Sequence, residues 1–399
     1  MSINEGTPST RIDSTESALH SPGHVQAASM YKTPKQALLA VIKSGIAKSQ
    51  LLWWQLLSLS WHAGIFIGFG AGLMVVVNGG LGSATITGYA PAYNGSEISS
   101  GDVEMSIAIP SGVKKFVGGA LFPVGLILVV LTGAELFTGN VMYLFAARMY
   151  NKITWKSLMW NWILAYFGNL AGSLAVAYFL FHKTELLQDD LVSPSPAQEY
   201  IYSIAEAKTP LYKWWPIFLK GIACNYLVCM ALWCAACADD VGSKIVALWA
   251  PIMCFVTIGF EHSVANMFFV PLAIMEGYDL TANSFISRNL VPVTLGNIVG
   301  GVAFIVLQYV MYHPPVGHSK VACGESAPVP KSASEYEVLG EKQNMFDGLY
   351  SMWMKYWPAD FASSSPQYSG EGDGVVMREH RDVDRDDEGV ELKNSPHTF

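Results

Sequence analysis

The sequence predicts an all-α polytopic membrane protein: six transmembrane spans as two inverted three-helix repeats, with broken second and fifth helices. Three observations carry this reading. Only 14% of the 399 residues are charged and 51% are hydrophobic, whereas soluble domains carry about 25% charged residues. Six apolar stretches follow one another, and two of them are too long for a single crossing. Polar residues of the second stretch recur in the fifth: Pro123, Glu135 and Asn140 stand in the same order as Pro251, Glu261 and Asn266, with each Asn five positions after its Glu. Downstream of each Asn, Gly168-Asn169-Leu170-Ala171-Gly172 is echoed by Gly296-Asn297-Ile298-Val299-Gly300.

Each half contributes three crossings. That number is odd, so the halves must enter the bilayer in opposite orientations. In inverted repeats, solute sites form where discontinuous helices meet near mid-membrane. Backbone that leaves the helix at that depth survives only where protein or a water-filled cavity shelters it. Glu135–Asn140 and Glu261–Asn266 are therefore expected to face each other across a pore.

Along the chain, residues 1–32 are polar and lack apolar periodicity, which predicts a disordered cytoplasmic tail. Residues 33–312 form the membrane domain, and 313–399 a polar, acidic cytoplasmic tail. Thr33-Pro34 reads as a cap and first turn of a helix running to about Leu57. Leu38, Leu39, Ile42 and Ile46 share one face while Lys32, Lys35, Lys43 and Lys48 supply charge, which suits a helix at the membrane surface. The first span, about Leu57–Gly80, carries Gly64, Gly68 and Gly72 at a spacing that lets helices approach closely. A polar loop to about Lys115 holds the sequon Asn94-Gly95-Ser96.

The second apolar region, about Phe116–Ala147, exceeds the ~20 residues of a simple crossing and is interrupted by Pro123, Gly125, Gly133 and Gly139. The third span covers about Trp155–Phe181. A polar loop then leads through Lys208 to the fourth, about Trp214–Ala238. The fifth region, about Ile245–Ile274, is interrupted at Glu261-His262, and the sixth covers about Asn289–Tyr312. Lysines before the first span, and Arg148, Lys152 and Lys156 between the second and third, place both termini in the cytoplasm. A plasma-membrane location is expected.

The chemistry concentrates at Gly259-Phe260-Glu261-His262-Ser263-Val264-Ala265-Asn266-Met267. Ionisable groups at mid-bilayer cost about 2.5–3.5 kcal/mol each on insertion scales, so they line an aqueous path or pair within a bundle. No second His or Cys stands at ligand spacing, so a metal site is not expected. Cys234-x-x-Cys237 lacks a second pair, and the cysteines of the apolar segments read as small packing residues. No nucleophile comes with a base and an orienting acid, which excludes a recognisable enzyme, and nothing points to nucleic acid or a cofactor. Conduction of a small solute remains. A bare anion entering a dry constriction pays tens of kcal/mol. Protonating a carboxylate of pKa about 3.9 at pH 7 costs only about 4 kcal/mol. The residues therefore suit a small weak acid that crosses in neutral form, with His262 as the group that exchanges protons in the physiological range.

Pro123-x-Gly with Glu135-Leu-Phe-Thr-Gly-Asn140, Asn225-Tyr-Leu-Val-Cys229 with Trp233, and Gly259 through Met267 together resemble the formate/nitrite transporter family over roughly Thr33 to Tyr312. The resemblance implies an aquaporin-like protomer within a homopentamer, one pore per protomer. It makes His262 the central pore histidine and Thr138 the hydroxyl on the loop that interrupts the second span. Phe122 and Phe255 would form the outer constriction, and Leu126, Leu136 and Phe137 the inner one. Glu261, Asn225, Asn266 and Asn297 would form the supporting polar ring, with Lys208 as vestibule lysine and Lys213 its competitor. The implied function is a channel or proton-linked transporter in the lipid bilayer for small monovalent weak-acid anions, formate or nitrite first. Alternatives are an acetate/lactate-type monocarboxylate transporter, or a neutral-solute channel of the water or glycerol type.

Overall fold

The computed structural model of the chain describes residues 31–81, the strand segments between 84 and 107, and residues 109–189, 191–209 and 214–312. Both expected tails lie outside the described residues except at Tyr31 and Lys32, and Lys213 lies outside them as well. Six helical segments among the described residues are long and apolar enough to cross a membrane: Trp53–Gly80, Ser111–Thr132, Trp155–His182, Trp214–Cys237, Val241–Ile258 and Ala282–Tyr312.

Helix α1 (Pro34–Ser49) opens on a capping box in which Thr33 Oγ1 accepts from the Gln36 N–H and Gln36 Oε1 accepts from the Thr33 N–H, with Pro34 in the first turn. It ends earlier than the predicted Leu57, and the first span begins at Trp53 as α2 (Trp53–Gly80). The apolar face of α1 does not lie on lipid. Leu38, Val41 and Ile42 are buried, and the helix packs against α5 (Phe137–Met149). The approach is close enough that a Cβ on Gly45 would stand 1.9 Å from the Tyr143 carbonyl oxygen.

The polar loop after α2 is built as a ribbon. Strands β1 (Ala84–Tyr89) and β4 (Asp102–Ile107) pair antiparallel, with β2 (Ala92–Asn94) and β3 (Glu97–Ser99) nested between them in the same register. The second apolar region follows as α3 (Ser111–Leu121), a bend at Pro123, α4 (Val124–Thr132), a break, and α5. Helix α6 (Trp155–Ala175) continues as a π-helical segment to His182. The loop expected between the third and fourth spans contains a further helix, α7 (Pro196–Lys208), opened by a second capping box between Ser195 and Gln198. Then come α8 (Trp214–Cys237), α9 (Val241–Ile258), α10 (Ser263–Met275), α11 (Ala282–Phe285) and α12 (Val291–Tyr312), with a π-helical link between the last two.

The repeat read in the sequence recurs in the packing. Helix α2 lies against α6 and α8 against α12. A Cβ on Gly172 would stand 2.1 Å from the Trp61 carbonyl oxygen, and one on Gly300 would stand 2.2 Å from that of Ile222. Bare glycine backbone lets these helix pairs touch, as small-residue spacing predicts.

Candidate functional site

Both breaks are made the same way. Helix α4 ends at Gly133 with φ 74° and α9 at Gly259 with φ 91°, a left-handed turn that glycine adopts without a Cβ penalty. Three non-helical residues then lead into a short helix. Such backbone has lost its intrahelical partners, and buried groups must find others. One asparagine per half supplies them. Asn169 accepts from the Phe137 N–H at 2.8 Å and donates to the carbonyls of Ser60 at 2.7 Å and Glu135 at 2.9 Å. Asn297 accepts from the Ser263 N–H at 2.9 Å and donates to the carbonyls of Gly221 at 2.8 Å and Glu261 at 3.0 Å.

The carboxylates are held alike. Glu135 accepts from Lys48 Nζ at 2.6 Å and from Asn140 Nδ2 at 2.8 Å. Glu261 accepts from Lys208 Nζ at 3.0 Å and from Asn266 Nδ2 at 2.8 Å. Asn161 ties Asn140 to the Lys48 carbonyl, and Asn289 ties Asn266 to the Lys208 carbonyl. Each buried carboxylate thus has a cation and an amide, the condition under which a charge in an apolar body is tolerable. Asn225 bridges the halves by donating to the carbonyls of Thr138 at 3.2 Å and Asn297 at 2.6 Å.

The frame is duplicated, but its contents are not. At the place of His262 in the second break the first break has Leu136, and at the place of Thr138 the second has Val264. His262 and Thr138 meet, with Nε2 and Oγ1 3.0 Å apart. His262 is also the N-cap of α10, its Nδ1 accepting from the Ala265 N–H at 3.1 Å. An acceptor at Nδ1 leaves the hydrogen of the neutral ring on Nε2, which therefore donates to Thr138. The Thr138 hydroxyl is left with a donor of its own. The imidazole stacks beside Phe255, ring centroids 6.0 Å apart, and is itself buried.

Two cavities approach this pair. One, about 340 Å³, is lined by Lys115, Lys208, Lys220, Phe122, Phe255 and His262 among others. The other, about 170 Å³, is lined by Lys48, Leu126, Leu136, Asn140, Tyr143 and Leu232 among others. Phe122 and Phe255 meet edge to face at 6.1 Å. Each cavity has lysine in its wall among apolar side chains. Among the described residues no group of His, Cys, Asp and Glu could hold a metal ion.

A family model for formate/nitrite transporters matches residues 35–311. The chain belongs to the formate/nitrite transporter family. A probable formate transporter of Methanothermobacter thermautotrophicus is 39% identical over 289 residues, 70% of this chain and 97% of the relative. Formate channel BtFdhC of Bacillus thuringiensis is 37% identical over 279 residues, 70% of this chain and 95% of the relative. Among solved structures, a pentameric formate channel with formate bound matches 65% of this chain and 96% of its own, at 35% identity and a TM-score of 0.54. A multi-pass membrane protein of a transport family, rather than an enzyme, is what these matches and the six spans establish.

Within this formate/nitrite transporter, the predicted site residues fall as follows. His262, Phe122, Phe255, Glu261, Asn266 and Lys208 line the larger cavity, and Leu126 and Leu136 the smaller. Thr138 is reached through His262, and Asn225 and Asn297 lie behind the breaks as backbone partners. Phe137 sits apart: its ring packs edge to face on Trp162 and Tyr166, and it lines neither cavity. Lys48, Asn161 and Asn289 were missed by sequence reasoning. Lys48 carried a signal, because it follows the first Thr-Pro-x-Gln cap much as Lys208 follows Ser195-Pro-x-Gln.

Proposed function

We propose that this family member conducts small monovalent weak-acid anions, formate or nitrite first, and that the solute crosses the narrow part of the pore in protonated form beside His262. What carries the reading is the His262–Thr138 pair, hydrogen-bonded at 3.0 Å between two cavities that have both lysine and apolar side chains in their walls. Lysine charge, together with the N-terminal ends of α5 and α10, raises the anion's local concentration. Among the apolar side chains the ion would be desolvated at a cost of tens of kcal/mol, whereas protonation at pH 7 costs about 4 kcal/mol for an acid of pKa near 3.9. The Thr138 hydroxyl, which accepts from Nε2–H and keeps its own hydrogen free to donate, then offers the neutral acid a partner at this polar point of its path. Strong-acid anions have no such route. The frame of paired breaks is arranged as two inverted halves, both termini are cytoplasmic, the protein sits in the plasma membrane, and the protomers assemble as a homopentamer like the formate-bound channel that it resembles.

Reconstitution into vesicles tests this. Labelled formate or nitrite uptake at fixed anion concentration should fall as pH rises, by up to about tenfold per unit where the protonated fraction limits flux. Uptake of water or glycerol should stay at the lipid background. Flux of chloride equal to that of formate, or uptake independent of pH between 5 and 8, would overturn the proposal. Competition by unlabelled acetate and lactate shows how far the substrate class extends.

A further inference from the structure

The pore mechanism leaves one deeply buried carboxylate unused. Glu276 is the C-cap of α10, at the far end from His262, and its side chain is only 1% exposed. Two groups hold its carboxylate and a third its backbone. His182 Nδ1, at the end of the π-helical segment after α6, lies 3.2 Å from Oε1. Gln198 Nε2, in the first turn of α7, donates to Oε2 at 2.9 Å, and the Tyr202 hydroxyl donates to the Glu276 carbonyl at 2.5 Å. The same Gln198 closes the capping box with Ser195, and the Ser195 hydroxyl donates to the Leu187 carbonyl. Glu276 therefore fastens the beginning of α7 to the end of α10.

The opposite ends of the same two helices meet at the pore, where Lys208 of α7 reaches Glu261, just ahead of α10. The helices thus run antiparallel and are joined at both ends by a carboxylate. In the first half the place of Glu276 is taken by Tyr150, whose ring packs against Tyr309. A buried carboxylate costs several kcal/mol unless fully hydrogen-bonded. Here it secures the register of the helix that presents Ile204, Ala207 and Lys208 to the larger cavity.

Resting on the transport reading above, we propose that Glu276 is a positioning residue: with His182, Gln198 and Tyr202 it sets the place of Lys208 in the vestibule, and through Lys208 the capture of the anion. It touches no solute itself. Loss of the clasp lets α7 shift along α10 and lowers the vestibule's hold on the anion while the constriction is unchanged.

The test uses the assembled protein in vesicles. Glu276→Ala should raise the half-saturating concentration of labelled formate or nitrite about fivefold, the effect of losing two modest hydrogen bonds while Tyr202 keeps its bond to the backbone, with maximal rate within about twofold. Glu276→Gln, which can accept from Gln198 and donate to neutral His182, should restore it. Lys208→Gln should raise the same parameter, and adding Glu276→Ala to it should change nothing further. His182→Ala, which leaves the α7 cap intact, supplies the same comparison should Glu276→Ala fail to assemble. An unchanged half-saturating concentration in both, or effects that multiply in the double variant, would overturn the proposal. A readout without substrate separates it from the transport reading. A cysteine placed at Ala207 should react with a small water-soluble thiol reagent at a rate that Glu276→Ala alters by about threefold or more and Glu276→Gln does not. Equal rates refute the clasp even if the parent conducts neither acid.

Discussion

Replacing Asn297 by Ala removes one side chain and strands two backbone groups. The Ser263 N–H loses its acceptor and the Glu261 carbonyl its donor, while the Gly221 carbonyl, inside α8, loses only a second donor. Asn297, Ser263 and Glu261 are 0–4% exposed. An unsatisfied buried group costs about 1–3 kcal/mol, so the outer bound is about 2–6 kcal/mol. Glu261 lines the larger cavity, from which water can reach its carbonyl. A net loss of about 2–4 kcal/mol is expected, or roughly 4–16 °C in the midpoint of thermal unfolding. Asn297→Asp keeps the acceptor but turns a carboxylate oxygen toward two carbonyls, so it should be no better than Ala. Asn169→Ala strands the equivalent groups, the Phe137 N–H and the Glu135 carbonyl, and should cost as much. The assay is thermal unfolding of the detergent-purified oligomer, followed by tryptophan fluorescence and by size exclusion. A shift below about 2 °C for Asn297→Ala, under 1 kcal/mol on the same scale, would refute the view that this amide replaces the missing helical hydrogen bonds.

Three further outcomes follow from the same geometry. His262→Ala should abolish proton-linked uptake while the oligomer still assembles, and pH-dependent uptake at the parent's rate by the folded variant would count against the role given to the imidazole. Glu261→Ala leaves Lys208 without its carboxylate and Asn266 without one of its acceptors, so it should reduce yield and thermal stability more than it changes selectivity among acids; normal yield and midpoint in a purified sample would remove that claim. Gly259→Ala meets no atom within 4 Å, yet it must hold φ 91°. It should therefore cost only the ~1–2 kcal/mol of a left-handed L-residue, visible as a drop of a few degrees with flux intact, and a loss of assembly would show that the turn does more than reverse the chain.

Much of this frame was legible because the chain states it twice. Glu135 and Asn140 against Glu261 and Asn266, and Asn169 against Asn297, identify the breaks and their supports without any three-dimensional information. Six spans were countable because apolar length is a strong signal. The β-ribbon after α2 is less legible: Asn94-Gly95 between segments containing Thr, Ile and Tyr is a hairpin signature, yet a short polar segment among long apolar ones reads as a plain loop. Helix α7 was missed for a similar reason, since its acidic and polar surface hid the Ser195-Pro196-x-Gln198 cap that opens it. Phe137 takes its place in the inner constriction from the family resemblance alone; its ring packs on Trp162 and Tyr166, contacts that no sequence spacing announces. Ion pairs such as Lys48–Glu135 join residues far apart in sequence and become visible only when α1 is docked.

The exchange of Leu136 for His262 between otherwise equivalent positions means that the two mouths are not mirror images. On the path proposed above, a visitor arriving past Phe122 and Phe255 reaches the His262–Thr138 pair before Leu126 and Leu136, and one arriving from the Lys48 side meets those leucines first. Net flow at equilibrium is indifferent to that order. A blocker is not: under the proposed path, an acid too broad to slip through lodges against the His262–Thr138 pair from one side only, and the two faces of the membrane then differ in pharmacology.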